Sequence, residues 1–496
     1  MIRTEEDGDR LQKGWTAAMD ERRTKGIWLP VAVLCFYLAA MVWGLAAYPD
    51  GWILLGLAAG GCLTAACRRI SGKIRTDAAA MILLGSLGLV LLETWNAFLK
   101  PYPMSDYEVL WNGAGQILNG TFAARAADPA DYFNFYRFQI PFTAYLASLA
   151  GIFGSLQGVI AFRAVVPVMT SIVMYRTLRL GCSVREAFFP ALVFTVFPFV
   201  FFGSGVLNNQ IECMLFESLA IYAFARCRDN RKKAAAMCGL SGALLSVGNL
   251  FRPTASVIFI AFVIVLALRF LRGRNKGELV CLGALAAGYL AVRFSSDGIF
   301  RASGIAPEGI TIGNLWFKLS LGLTGNGITG IPTVDAEHTN LYFDLQQYGF
   351  DTGAYQAAAS SYVAGLIRTP GKTLAYVLWK ILFFAGTVDA QYSFTNTAFL
   401  ESHGALTGIL NGAGIMIYAL SVIGTLYRIW KRRAGEQEDL YLTGILIFLG
   451  YFAAYILLEA QTRYRYEQYY VLFLLGMPMI REILERKAQR LKQGHR

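Results

Sequence analysis

The chain has 496 residues, of which 55% are hydrophobic and 16% charged, against about 25% charged in a soluble globular protein. Its net charge is +12, but the Lys and Arg sit in short patches between long apolar runs. That is the positive-inside pattern of a membrane chain and not a nucleic-acid footprint. The eight cysteines lie in or beside apolar runs and the three histidines form no ligand pattern, which excludes a disulfide framework and a zinc site read from spacing.

Residues 1–26 carry six basic and six acidic side chains. They are too long and too acidic for a signal peptide and read as a cytoplasmic N-terminal segment. Two spans, 27–48 and 51–68, follow within residues 27–76. A catalytic transmembrane core is expected over 77–294, with spans at 78–99, 138–156, 158–178, 186–204, 209–227, 234–251, 253–271 and 277–294. A large outer loop, 295–371, precedes a C-terminal transmembrane part, 372–480, with spans at 372–388, 405–427, 440–458 and 466–480. A basic cytoplasmic tail, 481–496, closes the chain. The expected fold is all-α, with about 12–14 apolar helices and amphipathic helices in two outer loops.

The basic patches at 67–75, 176–185, 226–233, 269–276 and 428–433 place those turns inside. The loops 100–137 and 295–371 hold three basic residues each and belong outside. Two counts fail on this scheme, because an even number of segments separates each outer loop from the next inside patch. One segment of each pair therefore lies in the interface or re-enters: 138–156, which holds Pro141, and 372–388, which carries Lys380. The same scheme brings Glu93, Arg163, Glu212, Arg252, Arg293, Glu459, Arg463 and Arg465 near the outer membrane face. Charge at membrane depth is costly and usually functional.

The first outer loop contains a helical stretch, 106–118. Its apolar face is Tyr107, Leu110, Trp111, Ala114, Ile117 and Leu118, and Gly120 suits its stop. Asp106 stands at the start. Ser105 followed by Glu108 fits a capping box, so the residues alone leave Asp106 open between a helix cap and a general base.

The order of features carries a resemblance. A span leads into an outer loop with an early Asp, then a short helix, then a Tyr/Pro-rich stretch running into GIFGSLQGVIAFRAV (151–165). A late outer segment, EAQTRYRYEQYYVLFLLG (459–476), and LIRTPGKTLAYVLWK (366–380) fit as well. This arrangement resembles the type C glycosyltransferases, and within them the bacterial family 39 relatives of protein mannosyltransferases and of lipid A aminoarabinose transferase.

The resemblance implies an integral membrane enzyme of the plasma (inner) membrane. It moves a single hexose or pentose from a polyprenyl-phosphate donor to an extracytoplasmic glycan, lipid or protein acceptor, with inversion. By position Asp106 is the general base and Asp131 the reserve carboxylate. Arg137 stands where relatives have a basic residue before prolines, although here the stretch is YRFQIPF. A phosphate leaving group needs cations or a divalent metal ion where charge grows. Arg252, Arg463 and Arg465 suit that role because guanidinium binds phosphate with two parallel hydrogen bonds. Glu212, in NNQIE (208–212), is a candidate contact to acceptor or metal. A lipid-linked glycan polymerase or ligase, and a transporter or flippase, are the alternatives. Nothing in the sequence names the metal.

Overall fold

The computed structural model describes residues 28–47, 49–126, 128, 131–227, 233–311, 319, 322, 351–387, 395–431 and 438–494. The expected N-terminal segment 1–26 and most of the centre of the second outer loop lie outside these. The described residues form helices and connecting turns. Helices dominate because a chain crossing lipid must satisfy its backbone polar groups within each segment.

In chain order the helices are α1 (Trp28–Ala47), α2 (Gly51–Ser71), α3 (Asp77–Leu99), α4 (Asp106–Leu118), α5 (Phe122–Ala126), α6 (Tyr132–Phe135), α7 (Ile140–Phe153), α8 (Leu156–Arg163) and α9 (Val165–Leu178). There follow α10 (Val184–Thr195), α11 (Pro198–Ser204), α12 (Gln210–Arg226), α13 (Ala234–Phe251), α14 (Ala255–Gly273) and α15 (Lys276–Ala302). The remainder are α16 (Thr352–Arg368), α17 (Pro370–Gly386), α18 (Thr397–Ser402), α19 (Gly404–Lys431), α20 (Glu438–Leu457) and α21 (Tyr466–Gly494). Single 3₁₀ turns, Arg137–Gln139 and Thr462–Arg465, precede α7 and α21.

Among the described residues nine helices are long and apolar enough to cross a membrane, or ten if α10 and α11 count as one span bent by 52°. Helices α8 and α9 together supply one of these, Leu156–Leu178. The bend falls where Pro198 opens α11, since proline cannot supply the amide that would continue α10. Helix α7 has 14 residues, about 21 Å at 1.5 Å per residue, which is short of the ~30 Å hydrocarbon core. Two segment ends differ from the sequence reading. Helix α15 runs on to Ala302, past the expected end at 294, and α21 continues through the basic residues beyond 480 to Gly494.

The two N-terminal spans pack against the C-terminal part of the chain. Gly56 and Gly60 of α2 face Ile409, Gly412 and Ala413 of α19, and a Cβ on Gly412 would sit 2.1 Å from the Ile53 carbonyl oxygen. Gly44 of α1 meets Gly386 of α17 in the same way, at 2.0 Å. Small residues allow this approach, which is how helices associate where lipid is as apolar as their side chains.

Lys380, on α17, is buried. Its ammonium donates to the carbonyls of Gly322 at 2.7 Å, Ile456 at 2.8 Å and Leu458 at 3.1 Å. Ile456 lies in the last turn of α20 and Leu458 just beyond it, where a cation meets the helix dipole and its unpaired carbonyls. The charge that the sequence places inside an apolar segment therefore closes a helix end. It thereby fixes the start of the 459–465 segment.

Candidate active site

The site is built around the first turn of α4. Asp106 is its first residue and is exposed, while Tyr107 beside it is buried. The capping box expected from Ser105 and Glu108 is not formed. Ser105 has φ 56° and its side chain makes no cap bond. The apolar face is close to the expected one: Tyr107, Leu110, Gly113 and Ala114 are buried, Trp111 and Ile117 half-buried, and Leu118 exposed.

Arg463 reaches this turn from the 3₁₀ segment before α21. Its Nη1 donates to the Tyr107 hydroxyl at 2.5 Å, and its guanidinium lies 5.5 Å from the centre of that ring. The same guanidinium is 5.4 Å from the Tyr464 ring, and Arg252 lies over that ring at 4.2 Å. Arg252 and Arg463 thus share one tyrosine, and Arg463 links it to the residue next to Asp106. Burial works against the charge of Arg463, but Tyr107, Tyr464, Glu459 and Asp106 outweigh it and hold the guanidinium above its usual range. Burial pushes the Tyr107 phenol up; Arg463 opposes that and Asp106 adds to it. The Tyr464 phenol is pushed up to about 12 by burial, with Glu459 adding to the effect.

The NNQIE stretch holds this arrangement together. Asn209 Nδ2 donates to the Phe251 carbonyl at 2.6 Å, one residue before Arg252. Gln210 Nε2 donates to the Arg463 carbonyl at 2.8 Å. Two adjacent amides therefore fix the backbones that carry both arginines. The sequence reading selected this stretch for Glu212 alone.

The other selected residues have structural partners. Glu212 is buried and takes both Arg163 Nε at 2.6 Å and Nη2 at 3.0 Å. Arg163 also donates to the carbonyls of Val206 at 2.9 Å and Asn208 at 2.5 Å, so the carboxylate is occupied in closing the loop before α12. Asp131 accepts from Arg125 Nε and caps α6 through the Phe133 amide at 2.9 Å. Arg137 pairs with Glu308 at 2.5 Å and bonds Asn134 at 2.7 Å, tying the segment before α7 to the one after α15. Arg465 is 1% exposed. It donates to Thr462 O at 2.9 Å and Ala385 O at 3.2 Å and lies among the Phe199, Tyr418 and Tyr469 rings. In a tight turn, residues two apart point in different directions. Arg463 accordingly faces α4 while Arg465 enters the core.

Tyr107, Tyr464, Asn209 and Gln210 join the list of candidate positioning residues. Tyr464 was visible only as part of the RYRY repeat. The two amides gave no signal beyond being polar at the start of a span. Among the described residues no group of three or more His, Cys, Asp and Glu side chains is placed to hold a metal ion.

Residues 140–293 match the family model described as dolichyl-phosphate-mannose-protein mannosyltransferase. The match runs from α7 through most of α15 and supports the resemblance to the type C glycosyltransferase superfamily. No curated protein matches the chain. Among solved structures it is similar to the archaeal oligosaccharyltransferase AglB from Archaeoglobus fulgidus, in complex with an inhibitory peptide and a dolichol-phosphate. Identity is 13% and the TM-score 0.43, over 83% of this chain and 51% of that one. The chain thus spans about half the length of that structure.

Proposed function

We propose that this type C glycosyltransferase-like chain transfers one hexose or pentose from a polyprenyl-phosphate donor to a glycan, lipid or protein acceptor. The reaction takes place at the extracytoplasmic face of the plasma (inner) membrane. The observation that carries the reading is the convergence at one end of α4 of an exposed carboxylate, Asp106, with two arginines more than a hundred residues away in sequence. Arg463 is bonded to the neighbouring Tyr107, and Arg252 shares the Tyr464 ring with it.

In this mechanism the acceptor hydroxyl lies against Asp106, which takes its proton as the oxygen attacks the anomeric carbon. The bond from that carbon to the phosphate oxygen breaks on the opposite face, so configuration inverts. The carrier leaves as a polyprenyl phosphate, with one more negative charge than it had as a diester. Arg252 and Arg463 hold that phosphate and offset the growing charge. The lipid chain enters sideways from the outer leaflet, at the depth of these arginines.

Asp106→Asn tests the role of the carboxylate. Asn keeps the size and shape of Asp at the first position of α4 but accepts no proton, so transfer of labelled sugar in proteoliposomes should fall about 10²–10⁴-fold. Expression and carrier binding should stay near wild type. Full transfer activity in this variant removes Asp106 from the mechanism. Transport of an intact lipid-linked sugar, with no new glycosidic bond, points to a flippase.

A further inference from the structure

Arg252 stands at the hinge between α13 and α14 and is followed by Pro253, with extended backbone angles (φ −149°, ψ 129°). That backbone is fixed, but an arginine side chain is long and needs something to aim it. One flat face lies on Tyr464 at 4.2 Å. Its Nε edge faces Glu467 Oε1 at 3.7 Å, an ion-pair contact too long for a hydrogen bond.

The two side chains differ in depth. Glu467 keeps 1% of its side-chain surface exposed and Arg252 keeps 16%. Buried Nε therefore looks inward to the carboxylate. Among the described residues the two terminal nitrogens make no hydrogen bond and, unlike Nε, are not fully buried. Glu467 is itself secured: the Thr254 hydroxyl donates to its Oε1 at 3.3 Å. Cys213 lies between that hydroxyl, at 3.7 Å, and a second buried acid, Glu217, at 3.3 Å. Tyr451 donates to Glu217 at 2.9 Å.

We propose that Glu467 is a positioning residue for Arg252, holding the Nε edge of the guanidinium from below so that its two terminal nitrogens face a lipid-borne phosphate. This rests on the donor-site reading above. A buried carboxylate behind an arginine does here what outer-layer carboxylates do for metal-ligating histidines: it fixes orientation before the ligand arrives. A phosphate gripped by two nitrogens demands that fixed plane, whereas a point charge does not.

The test uses the full chain in nanodiscs and undecaprenyl phosphate as the probe, titrated by thermophoresis. Wild type should bind it. Glu467→Gln keeps the size and the Thr254 contact but loses the charge, and should weaken binding about 10-fold, the lower end for loss of an orienting partner. Placed on Arg252→Ala, the same change should add no more than about 2-fold, because its target is gone. Should Glu467→Gln fail to fold, Thr254→Val frees the same carboxylate and should shift binding in the same direction, again only when Arg252 is present. Wild-type affinity in both variants, or an equal loss with and without Arg252, overturns the proposal while leaving the donor site standing. Failure of the wild-type chain to bind the probe overturns the donor site and this inference together.

Discussion

Glu212→Gln isolates the Arg163–Glu212 pair, whose side chains are 0% and 3% exposed. Arg163 spends its donors on this carboxylate and on the Val206 and Asn208 carbonyls. Gln keeps one acceptor oxygen but removes the negative charge, leaving a buried guanidinium without its counter-ion. Breaking a buried pair from one side costs about 3–5 kcal/mol, while replacing both partners with apolar residues of similar volume is often close to neutral. The single variant should therefore melt clearly below wild type in detergent. Arg163→Met combined with Glu212→Met removes both charges but leaves the Val206 and Asn208 carbonyls without their donor, so it should recover only part of the loss. Thermal unfolding followed by size exclusion, with transfer assayed on the folded fraction, reads both effects. The folded fraction of Glu212→Gln should remain active. A variant that melts like wild type but has lost acceptor or donor affinity would falsify this account and return Glu212 to the substrate.

Other perturbations test the remaining contacts. Arg252→Lys and Arg463→Lys keep the charge but lose the planar fork, so each should lower transfer at least several-fold; two variants with wild-type donor affinity would move the phosphate site elsewhere. Tyr107→Phe removes one hydrogen bond to a charged group, worth about 1.5–3 kcal/mol; donor KM should rise and kcat fall by at least several-fold between them, and unchanged kinetics would make the contact incidental. A single Cys replacing the exposed Ala124, in a Cys-free background, should react with an impermeant maleimide on intact cells; labelling only after lysis reverses the orientation. Gly412→Val would place side-chain carbon on the Ile53 carbonyl and should lower the melting temperature, with an unchanged melt showing that α2 and α19 can part freely.

Much of the fold was legible because lipid leaves a segment few choices. An apolar run of sufficient length must be a helix, so α1 to α3, α13, α14, α19 and α20 lie close to their expected bounds. The 3.6-residue spacing of Tyr107, Leu110 and Ala114 located α4 in the same way. The charges of the candidate site were legible and the contacts between them were not. Arg252, Arg463 and Asp106 stand out as ionisable groups near membrane depth. Whether an arginine faces α4 or the core is decided by contacts between segments distant in sequence. Arg463 and Arg465 differ for that reason although the RYRY repeat treats them alike. Asn209 and Gln210 act on main-chain carbonyls of other segments, which leaves no local pattern to read. The partners of Glu212 and Asp131 were not legible either: Arg163 and Arg125 lie 49 and 6 residues away, and only the folded chain brings each pair together.

The glycine-lined seam between α2 and α19 also sets a clock for biogenesis. Residues 72–403 must be made after α2 and before its partner begins. At about 5–20 residues per second this takes roughly 20–70 s. Throughout that interval the glycine face of α2 that meets α19 has no mate, since Ile409, Gly412 and Ala413 are not yet synthesised. The α2–α19 seam can form only after α19 has been made. A chain released early would carry an open stripe of small residues, a ready docking strip for other transmembrane helices. Quality control in the membrane would meet such a fragment as an unpaired helix pair, whatever the state of its catalytic core.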